Sequence, residues 1–355
     1  MSKEIIIVTI SLGNDGAERI LTELARQWYH DGHKITVIQT SPNRYGTEYT
    51  LPEGIEQIQI HTTSSNKILR FLQEIKALIG ILKQRPNATC LSFLSASSFI
   101  LAISSWFVKN RMVFSERNNP RKVPVGKHQQ MLRDFAFRFA DAIVFQTEDA
   151  KSYFSKSIQS RGHIIPNPIN GNLPEPYEGE RQKIIVTACR LHPQKNLSMM
   201  INAFSMLANE FKEYKLVIYG QGVLENELRQ HIASLGLTDR ILLPGFASNI
   251  LEKEWPCAMF VSSSDFEGIS NSMLEAMGMG LPVVVTDCPV GGARMVIQDG
   301  INGLLVPVGD TKTMYEKMKS ILVNPELAKR ISKEAIKVRD TFPLSKIAKR
   351  WIDIF

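Results

Sequence analysis

Short runs of β-branched residues alternate with longer helical stretches along the whole chain, and one proline-rich segment interrupts this alternation near the middle. The pattern predicts βαβ units and mostly parallel sheets. In the first half the predicted strands are Ile5–Ile10, Lys34–Thr40, Ile55–Ile60, Thr89–Ser95, Met112–Ser115, Ala142–Gln146 and His163–Pro166. The predicted helices there are Ala17–His30, Lys67–Lys83, Lys127–Phe139 and Asp149–Lys156.

The segment Pro166–Pro176 is rich in proline, asparagine and glycine, which break regular structure and mark a domain boundary. Beyond it the predicted strands are Ile184–Cys189, Lys215–Tyr219, Arg240–Leu243, Met259–Ser262 and Val283–Thr286. The predicted helices are Leu197–Phe211, Val223–Leu235, Ser272–Gly278, Lys312–Leu322, Glu326–Arg339 and Leu344–Phe355. We therefore predict an α/β chain of two Rossmann-like, doubly wound domains, residues 1–168 and 169–342, facing a central cleft.

Composition excludes several classes of protein. A chain of 355 residues is too long for one hydrophobic core, and 44% hydrophobic with 22% charged residues excludes a disordered chain. The most apolar stretch, Thr89–Val108, contains serines throughout and reads as a strand followed by a helix. The N-terminus lacks the pattern of a signal peptide, and the four scattered cysteines form neither a metal site nor a disulfide framework. A cytoplasmic protein is the expectation.

Basic residues concentrate in the first half of the chain. The formal net charge is +7, and Lys109–Arg138 contains eight Lys and Arg residues against Glu116 and Asp134. Such an excess attracts anionic partners, and it predicts peripheral contact with an anionic membrane surface at the inner face of the cell membrane. An ordinary solvated basic surface explains the same pattern equally well. Nucleic acid is not expected, because no aromatic residues interleave with the cations in the manner of a strand-binding surface.

The segment Glu267–Glu275 follows a predicted strand and opens a predicted helix. In this position the turn Gly268–Asn271 directs backbone N–H groups towards an anion, aided by the helix dipole. Glu275 suits the hydroxyls of a ribose or sugar. A capping box formed by Ser272 and Glu275 is an equally good local explanation.

A second cluster, Arg190 and Lys195, directly follows the strand Ile184–Cys189. The guanidinium fork and the ammonium suit the oxygens of a departing diphosphate whose charge is not balanced by a metal ion. An Arg–Lys pair in a loop is more often simply solvated. The chain has no D-x-D motif and no histidine pair at metal spacing, so we expect neither a metal ion nor another cofactor.

Two further turns carry weaker signals. The first βα turn contains Gly13 and Gly16 in a G-x-x-G arrangement, which differs from the dinucleotide fingerprint G-x-G-x-x-G. Pro244-Gly245-Phe246 follows a strand, where its backbone could edge a flat base or form a plain turn.

Taken together, these motifs resemble glycosyltransferase family 4 over essentially the whole chain. The stretch from Glu267 to Val283 is similar to the donor-site signature of that family, with seven residues between Glu267 and Glu275. The turn from Gly13 to Arg19 is similar to its N-terminal glycine loop, with Asp15 replacing the first of the paired glycines.

The resemblance implies a GT-B fold and retaining, metal-independent transfer from a nucleotide sugar, in which the final helix (343–355) crosses back to the N-terminal domain. It implies that the N-terminal domain binds the acceptor and that the C-terminal domain binds the donor. Arg190, Lys195 and Glu267 would then be catalytic: the two cations would hold the diphosphate and Glu267 would contact the donor sugar. The donor-binding set implied by the resemblance is Gly13, Gly16, Gly245, Phe246, Gly268, Ile269, Ser270, Asn271 and Glu275.

One departure concerns the segment Ser115-Glu116-Arg117-Asn118, where many members of the family carry a histidine. This form resembles the subgroup that extends lipid-linked or capsular oligosaccharides, including N-acetylgalactosamine transferases. Glu116 and Arg117 are accordingly candidates for donor or acceptor contacts.

The function predicted is transfer of a hexose or N-acetylhexosamine from a UDP-sugar to a polyprenyl-diphosphate-linked or polysaccharide acceptor. GDP remains an alternative to UDP. A UDP-sugar 2-epimerase of the same fold and a non-catalytic sugar- or nucleic-acid-binding protein are the competing functions.

Overall fold

The computed structural model describes residues 2–13, 16–41, 49–93 and 95–355, and the chain in it divides into two compact units. One unit comprises residues 1–168 together with 344–355, and the other comprises residues 169–343. Each contains one parallel sheet, which confirms the two doubly wound α/β domains predicted from the alternation of strands and helices.

The sheet of the first unit has seven strands in the order β3-β2-β1-β4-β5-β6-β7. These strands are β1 Glu4–Thr9, β2 Lys34–Gln39, β3 Glu56–Gln59, β4 Thr89–Ser92, β5 Arg111–Glu116, β6 Ala142–Phe145 and β7 Gly162–Ile164. The helices between them are α1 Gly16–His30, α2 Lys67–Lys83, α3 Ser95–Ser104, α4 Lys127–Phe137, α5 Glu148–Ser152 and α6 Lys156–Gln159. The central strands are buried on both faces, because helical crossovers cover both sides of a parallel sheet.

The sheet of the second unit has six strands in the order β10-β9-β8-β11-β12-β13. They are β8 Gln182–Ala188, β9 Lys215–Tyr219, β10 Ile241–Gly245, β11 Cys257–Ser262, β12 Val283–Thr286 and β13 Leu304–Val306. The helices are α7 Leu197–Glu210, α8 Glu225–Ser234, α9 Ile250–Glu254, α10 Asn271–Gly278, α11 Gly292–Val296, α12 Thr311–Val323, α13 Pro325–Ala335 and α14 Val338–Thr341. Its core lies between the sheet and helices such as α7 and α12, around Phe204, Met259 and Met318.

Helix α15 (Leu344–Ile352) ends the chain and packs within the first unit. Its Trp351 is fully buried, with ring centroids 6.4 Å from Trp28 and 5.2 Å from Phe93. The Trp28 indole N–H donates to the Ala348 carbonyl at 3.0 Å, so the polar group of the buried Trp28 ring has a hydrogen-bond partner. The ammonium of Lys3 donates to the carbonyls of Ile352 and Phe355, which fixes the end of the helix beside the start of the first strand.

Several details differ from the sequence-based expectation. Strand β13 was not predicted, because a three-residue apolar run is too short to produce a period. The single predicted helix Glu326–Arg339 is two helices, α13 and α14, that meet at Ile336 and Lys337. The helix of Leu344–Phe355 ends at Ile352.

Candidate functional site

The order of the second sheet reverses between β8 and β11, because the chain winds one way from β8 to β10 and the other way from β11 to β13. In doubly wound sheets, ligands bind beyond the carboxyl ends of the strands at such a reversal. The segment that follows β8 contains Arg190 and Lys195, and the segment that follows β11 contains Gly268 to Asn271. The fold therefore brings the two strongest sequence candidates to the same edge of the sheet.

Lys195 and Glu267 form an ion pair at this edge, with the ammonium nitrogen 2.5 Å from Oε2 of the carboxylate. Both side chains are largely shielded, with 14% and 22% of their surface exposed. Burial has the largest single effect on the pKa of the Lys195 ammonium and lowers it. The charge and the hydrogen bond of Glu267, together with the nearby Cys189, nevertheless outweigh burial, so that pKa is raised. Lys195 is therefore a fixed cation at neutral pH. The Ser264 hydroxyl donates to the same Glu267 oxygen at 3.1 Å.

The two segments are joined by hydrogen bonds outside the ion pair. The Asp265 N–H donates to the Gln194 carbonyl at 2.9 Å, and the Asn196 side-chain amide donates to the Asp265 carboxylate at 2.7 Å. The Ser263 hydroxyl donates to the Lys195 carbonyl at 2.8 Å. Asn196 itself has φ 42°, a left-handed conformation that asparagine tolerates better than most residues. This network fixes the ammonium of Lys195 relative to the turn that follows Glu267.

The turn Gly268–Asn271 ends in the N-terminus of α10, as predicted. Ser270 is the N-cap residue, and its hydroxyl accepts the Met273 N–H at 3.3 Å. The interpretation of Ser272 and Glu275 as a capping box is wrong, because the cap lies two residues earlier.

Gly292 lies against the Gly268–Asn271 turn. A Cβ placed on Gly292 would come within 2.0 Å of the Gly268 carbonyl oxygen. Only glycine allows the two segments to approach this closely.

Glu275 lies one turn into α10 and is 4% exposed. The Asn170 side-chain amide lies 3.5 Å from its Oε1. A carboxylate shielded from water in this way is a strong hydrogen-bond acceptor, which suits the vicinal hydroxyls of a ribose.

Arg190 is exposed directly after β8, in the segment that leads to Lys195. The backbone around it is fixed by the next strand connection, since the Leu191 N–H donates to the Gln221 carbonyl at 2.9 Å. A Cβ on Gly222 would collide with the Leu191 carbonyl, so this connection also requires a glycine.

Gly245 ends β10 with φ 87°, and Phe246 after it is 67% exposed. An exposed aromatic ring at this edge can stack on a planar base.

The remaining predicted residues belong to the first unit. Gly13 is buried after β1 and Gly16 begins α1; Asn14 and Asp15 between them lie outside the described residues. Arg117 follows β5, and its guanidinium donates to the Asn167 side-chain oxygen and stacks 4.7 Å from the centre of the Phe93 ring. Burial lowers the pKa of this guanidinium to about 9.

Glu116 is 6% exposed, and protein groups contact both of its carboxylate oxygens. One oxygen accepts the N–H groups of Arg117 and Asn118, and the other lies 3.3 Å from the guanidinium of Arg133. Burial raises the pKa of Glu116 to about 7, although Arg133 and the two N–H groups act in the opposite direction. The carboxylate shapes the turn that carries Arg117.

Arg133 is one of the basic residues of Lys109–Arg138, but its side chain is fully buried. It donates to the carbonyls of Pro120 and Val123 at 2.8 and 2.7 Å, and its guanidinium lies over the rings of Tyr153 and Phe154. This cation is a structural element of the first unit and contributes little to its surface field. The exposed cations of the segment are Lys109, Arg111, Arg121, Lys122, Lys127 and Arg138.

Sequence reasoning missed the residues that position the site. Ser264, Asn196 and Gly292 act through hydrogen bonds or close approach between distant segments. Only Asn196 carried a local signal, since an asparagine directly before an apolar helical stretch is a recognisable helix cap. Within the described ranges, no group of three or more His, Cys, Asp or Glu side chains is arranged to hold a metal ion.

Comparison with known proteins matches both parts of the chain to family models of glycosyltransferases. Residues 14–172 match the family model described as Glycosyltransferase Family 4, and residues 173–338 match the one described as Glycosyl transferases group 1. A structure of HepE from Anabaena in complex with UDP has a TM-score of 0.84 at 19% identity, over 99% of this chain and 98% of that one. The pneumococcal O-GlcNAc transferase GtfA, solved with UDP and GlcNAc, has a TM-score of 0.81 at 13% identity, over 99% and 98% of the two chains.

Two enzymes of Campylobacter jejuni are similar over nearly their whole length. One is the N-acetylgalactosamine-N,N'-diacetylbacillosaminyl-diphospho-undecaprenol 4-alpha-N-acetylgalactosaminyltransferase, 29% identical over 97% of this chain and 96% of the enzyme. The other, an undecaprenol-linked alpha-1,4-N-acetyl-D-galactosaminyltransferase, is 24% identical over 100% of this chain and 98% of the enzyme.

The pair of doubly wound sheets is the GT-B architecture, the fold predicted from the sequence motifs. The chain belongs to the family 4 glycosyltransferases, and its residues 173–338 are the region that matches the group 1 model. It is a hexosyltransferase. In the described part of the chain, none of the helices combines the length and the apolar character needed to cross a membrane.

Proposed function

We propose that this enzyme transfers an N-acetylhexosamine, with retention of configuration, from a UDP-sugar to a polyprenyl-diphosphate-linked saccharide. The observation that carries the proposal is the Lys195–Glu267 pair beside Arg190 and the Gly268–Asn271 turn at the reversal of the second sheet. A fixed ammonium, an exposed guanidinium and backbone N–H groups at one edge suit the two phosphates of a nucleotide sugar. Phe246 and Glu275 at the same edge suit the base and the ribose.

The nature of the acceptor is proposed from the relatives. Both Campylobacter enzymes are named for transfer to saccharides on an undecaprenol carrier, and the alignments span nearly all of each protein. UDP in the HepE and GtfA structures supports a uridine nucleotide over GDP. This class of acceptor indicates a role in cell-surface glycan synthesis.

The proposed reaction is one of charge stabilisation. An acceptor hydroxyl attacks the anomeric carbon from the face that the diphosphate leaves, so the new bond to oxygen forms as the bond to the phosphate oxygen breaks. The proton of the attacking hydroxyl passes to the leaving phosphate, and the electron pair of the broken bond stays on that phosphate. Arg190 and Lys195 stabilise the developing negative charge, and Glu267 holds Lys195 in place and contacts the sugar.

Product analysis tests this function. The enzyme is incubated with UDP-N-acetylgalactosamine, UDP-N-acetylglucosamine or UDP-glucose and a polyprenyl-diphosphate-linked N-acetylhexosamine, and UDP release and product mass are measured. The expected product is one sugar longer, with the α configuration of the donor at the new bond. Transfer with inversion would overturn the retaining mechanism, and failure to bind UDP would overturn the proposal as a whole.

A UDP-sugar 2-epimerase is the alternative within the same fold. It requires no acceptor, so incubation with the UDP-sugars alone separates the two activities. Conversion of one UDP-sugar into its 2-epimer would favour the alternative, whereas donor that stays unchanged until acceptor is added supports transfer.

We also propose that the first unit binds an anionic membrane surface. The exposed cations of Lys109–Arg138 flank apolar side chains that are open to solvent: Trp106, Phe107, Met131, Leu132 and Phe135 are 39–67% exposed. Trp106 and Phe135 both contact Phe139, at 5.6 and 5.0 Å between ring centroids, so α4 and the end of α3 form one continuous patch. Apolar side chains among cations suit insertion at an acidic lipid surface, where each cation contributes about 1 kcal/mol.

Vesicle flotation tests this surface. Met131→Ser combined with Leu132→Ser should weaken binding to vesicles that contain acidic phospholipid, because both side chains lie on the exposed face of α4. Val223→Ser in the second unit removes an equally exposed apolar side chain, 82% exposed, and serves as the matched control. Equal binding of all three proteins, or binding that does not depend on acidic lipid, would contradict this surface.

A further inference from the structure

Arg117, directly after β5, is a half-buried cation that the proposed reaction has not used. Its guanidinium donates to the Asn167 side-chain oxygen and lies 3.5 Å from the Ser115 hydroxyl, and both of these partners are neutral. Glu116 offers one carboxylate oxygen to backbone N–H groups and the other to Arg133. Among the residues that the structure describes, no carboxylate forms an ion pair with Arg117 itself.

Neighbouring side chains hold this guanidinium in one place. It lies 4.7 Å from the centre of the Phe93 ring, which is 3% exposed and is itself stacked on Trp351 at 5.2 Å between ring centroids. The oxygen of Asn167 that accepts from Arg117 also accepts the Gln146 side-chain amide at 2.7 Å. Both amide side chains are buried, so the donors of Arg117 are positioned before any ligand arrives.

The first sheet delivers these residues to its carboxyl edge. Phe93 directly follows β4, Gln146 directly follows β6, and Asn167 lies shortly after β7. Strands β4 to β7 are neighbours in the sheet, in that order. Ligands of doubly wound domains bind beyond the carboxyl ends of the strands, so Arg117 lies where a ligand of the first unit is expected.

A shielded cation without an acidic partner is costly, because it has lost water without gaining an ion pair. Burial lowers the pKa of Arg117 to about 9, and the charge of Glu116 offsets only part of this effect. The planar guanidinium has five N–H donors, and phosphate oxygens match their geometry. A phosphate group would therefore supply the missing negative charge.

We propose that Arg117 binds a phosphate oxygen of the acceptor diphosphate, with Asn167 and Phe93 as the residues that position it. The inference rests on the proposed function, which supplies a polyprenyl-diphosphate acceptor. It gives the first unit a diphosphate site of its own, distinct from Arg190 and Lys195 in the second unit.

Calorimetric titration of the full-length enzyme with geranyl diphosphate, a short prenyl diphosphate that dissolves in water, tests the site. Saturating UDP is present, so that the donor diphosphate site of the second unit is filled. We expect the natural protein to bind geranyl diphosphate under these conditions.

Asn167→Asp is the decisive variant. The aspartate has the shape of asparagine and still accepts from Arg117 and Gln146, but its charge neutralises the guanidinium. We expect it to weaken the binding of geranyl diphosphate by about 10- to 100-fold, the contribution of one charge-assisted hydrogen bond. If Arg117 merely fixed the local backbone, the new ion pair would leave the binding unchanged.

Asn87→Asp is the matched control, because Asn87 is exposed just before β4 and adds the same charge at the opposite edge of the sheet. Its affinity for geranyl diphosphate should stay within about twofold of the natural value, since water and salt screen a distant exposed charge. Arg117→Met is the second variant, in case the aspartate disturbs folding. The methionine keeps an apolar chain beside Phe93 without the charge, and it should weaken binding as Asn167→Asp does.

The affinity for UDP, titrated separately, should be the same in all four proteins. The inference is overturned if the natural protein does not bind geranyl diphosphate, or if folded Asn167→Asp or Arg117→Met binds it as the natural protein does. Loss of UDP affinity in Arg117→Met would assign the guanidinium to the donor and would overturn it too. These results leave the proposed function intact, whereas absence of UDP binding by the natural protein overturns the proposed function itself.

Discussion

The close approach of Gly292 to the Gly268–Asn271 turn gives a quantitative prediction for Gly292→Ala. The added Cβ would lie 2.0 Å from the Gly268 carbonyl oxygen and 2.8 Å from the Ile269 nitrogen, whereas such contacts essentially never fall below 3.0 Å. The turn must therefore move by about 1 Å, because both neighbours are backbone atoms with no freedom to rotate away.

A shift of this size has different consequences for stability and for catalysis. Overpacking of a well-packed site costs about 1–3 kcal/mol, which a protein of this size tolerates. A displacement of about 1 Å in groups that position a reacting substrate can lower the rate about 100-fold. We therefore expect Gly292→Ala to remain folded, with strongly reduced turnover and weaker binding of UDP.

The assay is the initial rate of UDP release from a UDP-sugar with acceptor present, together with thermal unfolding with and without UDP. Gly171→Ala is the matched control, because a Cβ on Gly171 has no atom within 4 Å and the residue lies in the same unit. Gly171→Ala should retain the natural rate. A Gly292→Ala variant with a rate within about twofold of this control would refute the geometric reasoning.

Three further perturbations follow from the same contacts. Lys195→Ala should lower the turnover by about 100- to 1000-fold with a much smaller loss of stability. Lys312 is an exposed lysine of the same unit, and Lys312→Ala should change neither turnover nor stability. Normal turnover in folded Lys195→Ala would remove Lys195 from the mechanism. Arg133→Met leaves Glu116 buried without its cation and should cost about 3–5 kcal/mol in denaturant unfolding. Arg138→Met, exposed in the same segment, should cost less than about 0.5 kcal/mol, and equal costs for both would contradict the buried pair. Phe246→Ala should weaken UDP binding by about 1–3 kcal/mol, with no effect on unfolding of the free protein; an unchanged dissociation constant would exclude stacking on the base.

Much of the fold could be predicted because local pattern and global topology agree. The strands Lys215–Tyr219 and Val283–Thr286 and the helix Lys67–Lys83 have the predicted bounds, since each is an uninterrupted apolar or amphipathic run between turn residues. The C-terminal edge of a parallel sheet collects the segments that follow its strands. The alternation of strands and helices alone therefore predicts that Arg190, Lys195 and Glu267 lie at one edge.

The parts that could not be predicted depend on contacts between distant segments. The burial of Arg133 follows from its packing against Glu116 and Tyr153, and in sequence it is one cation among eight. The cap at Ser270 could not be told from one at Ser272, because both are serines before the same helix and the bend of the turn decides between them.

A crystal structure of the enzyme with UDP tests the central claim most directly. The account predicts that the diphosphate lies between the side chains of Arg190 and Lys195 and the N–H groups of the Gly268–Asn271 turn, with the ribose on Glu275 and the base near Phe246. UDP bound elsewhere in the second unit, or at this edge with its phosphates directed away from both cations, would contradict it.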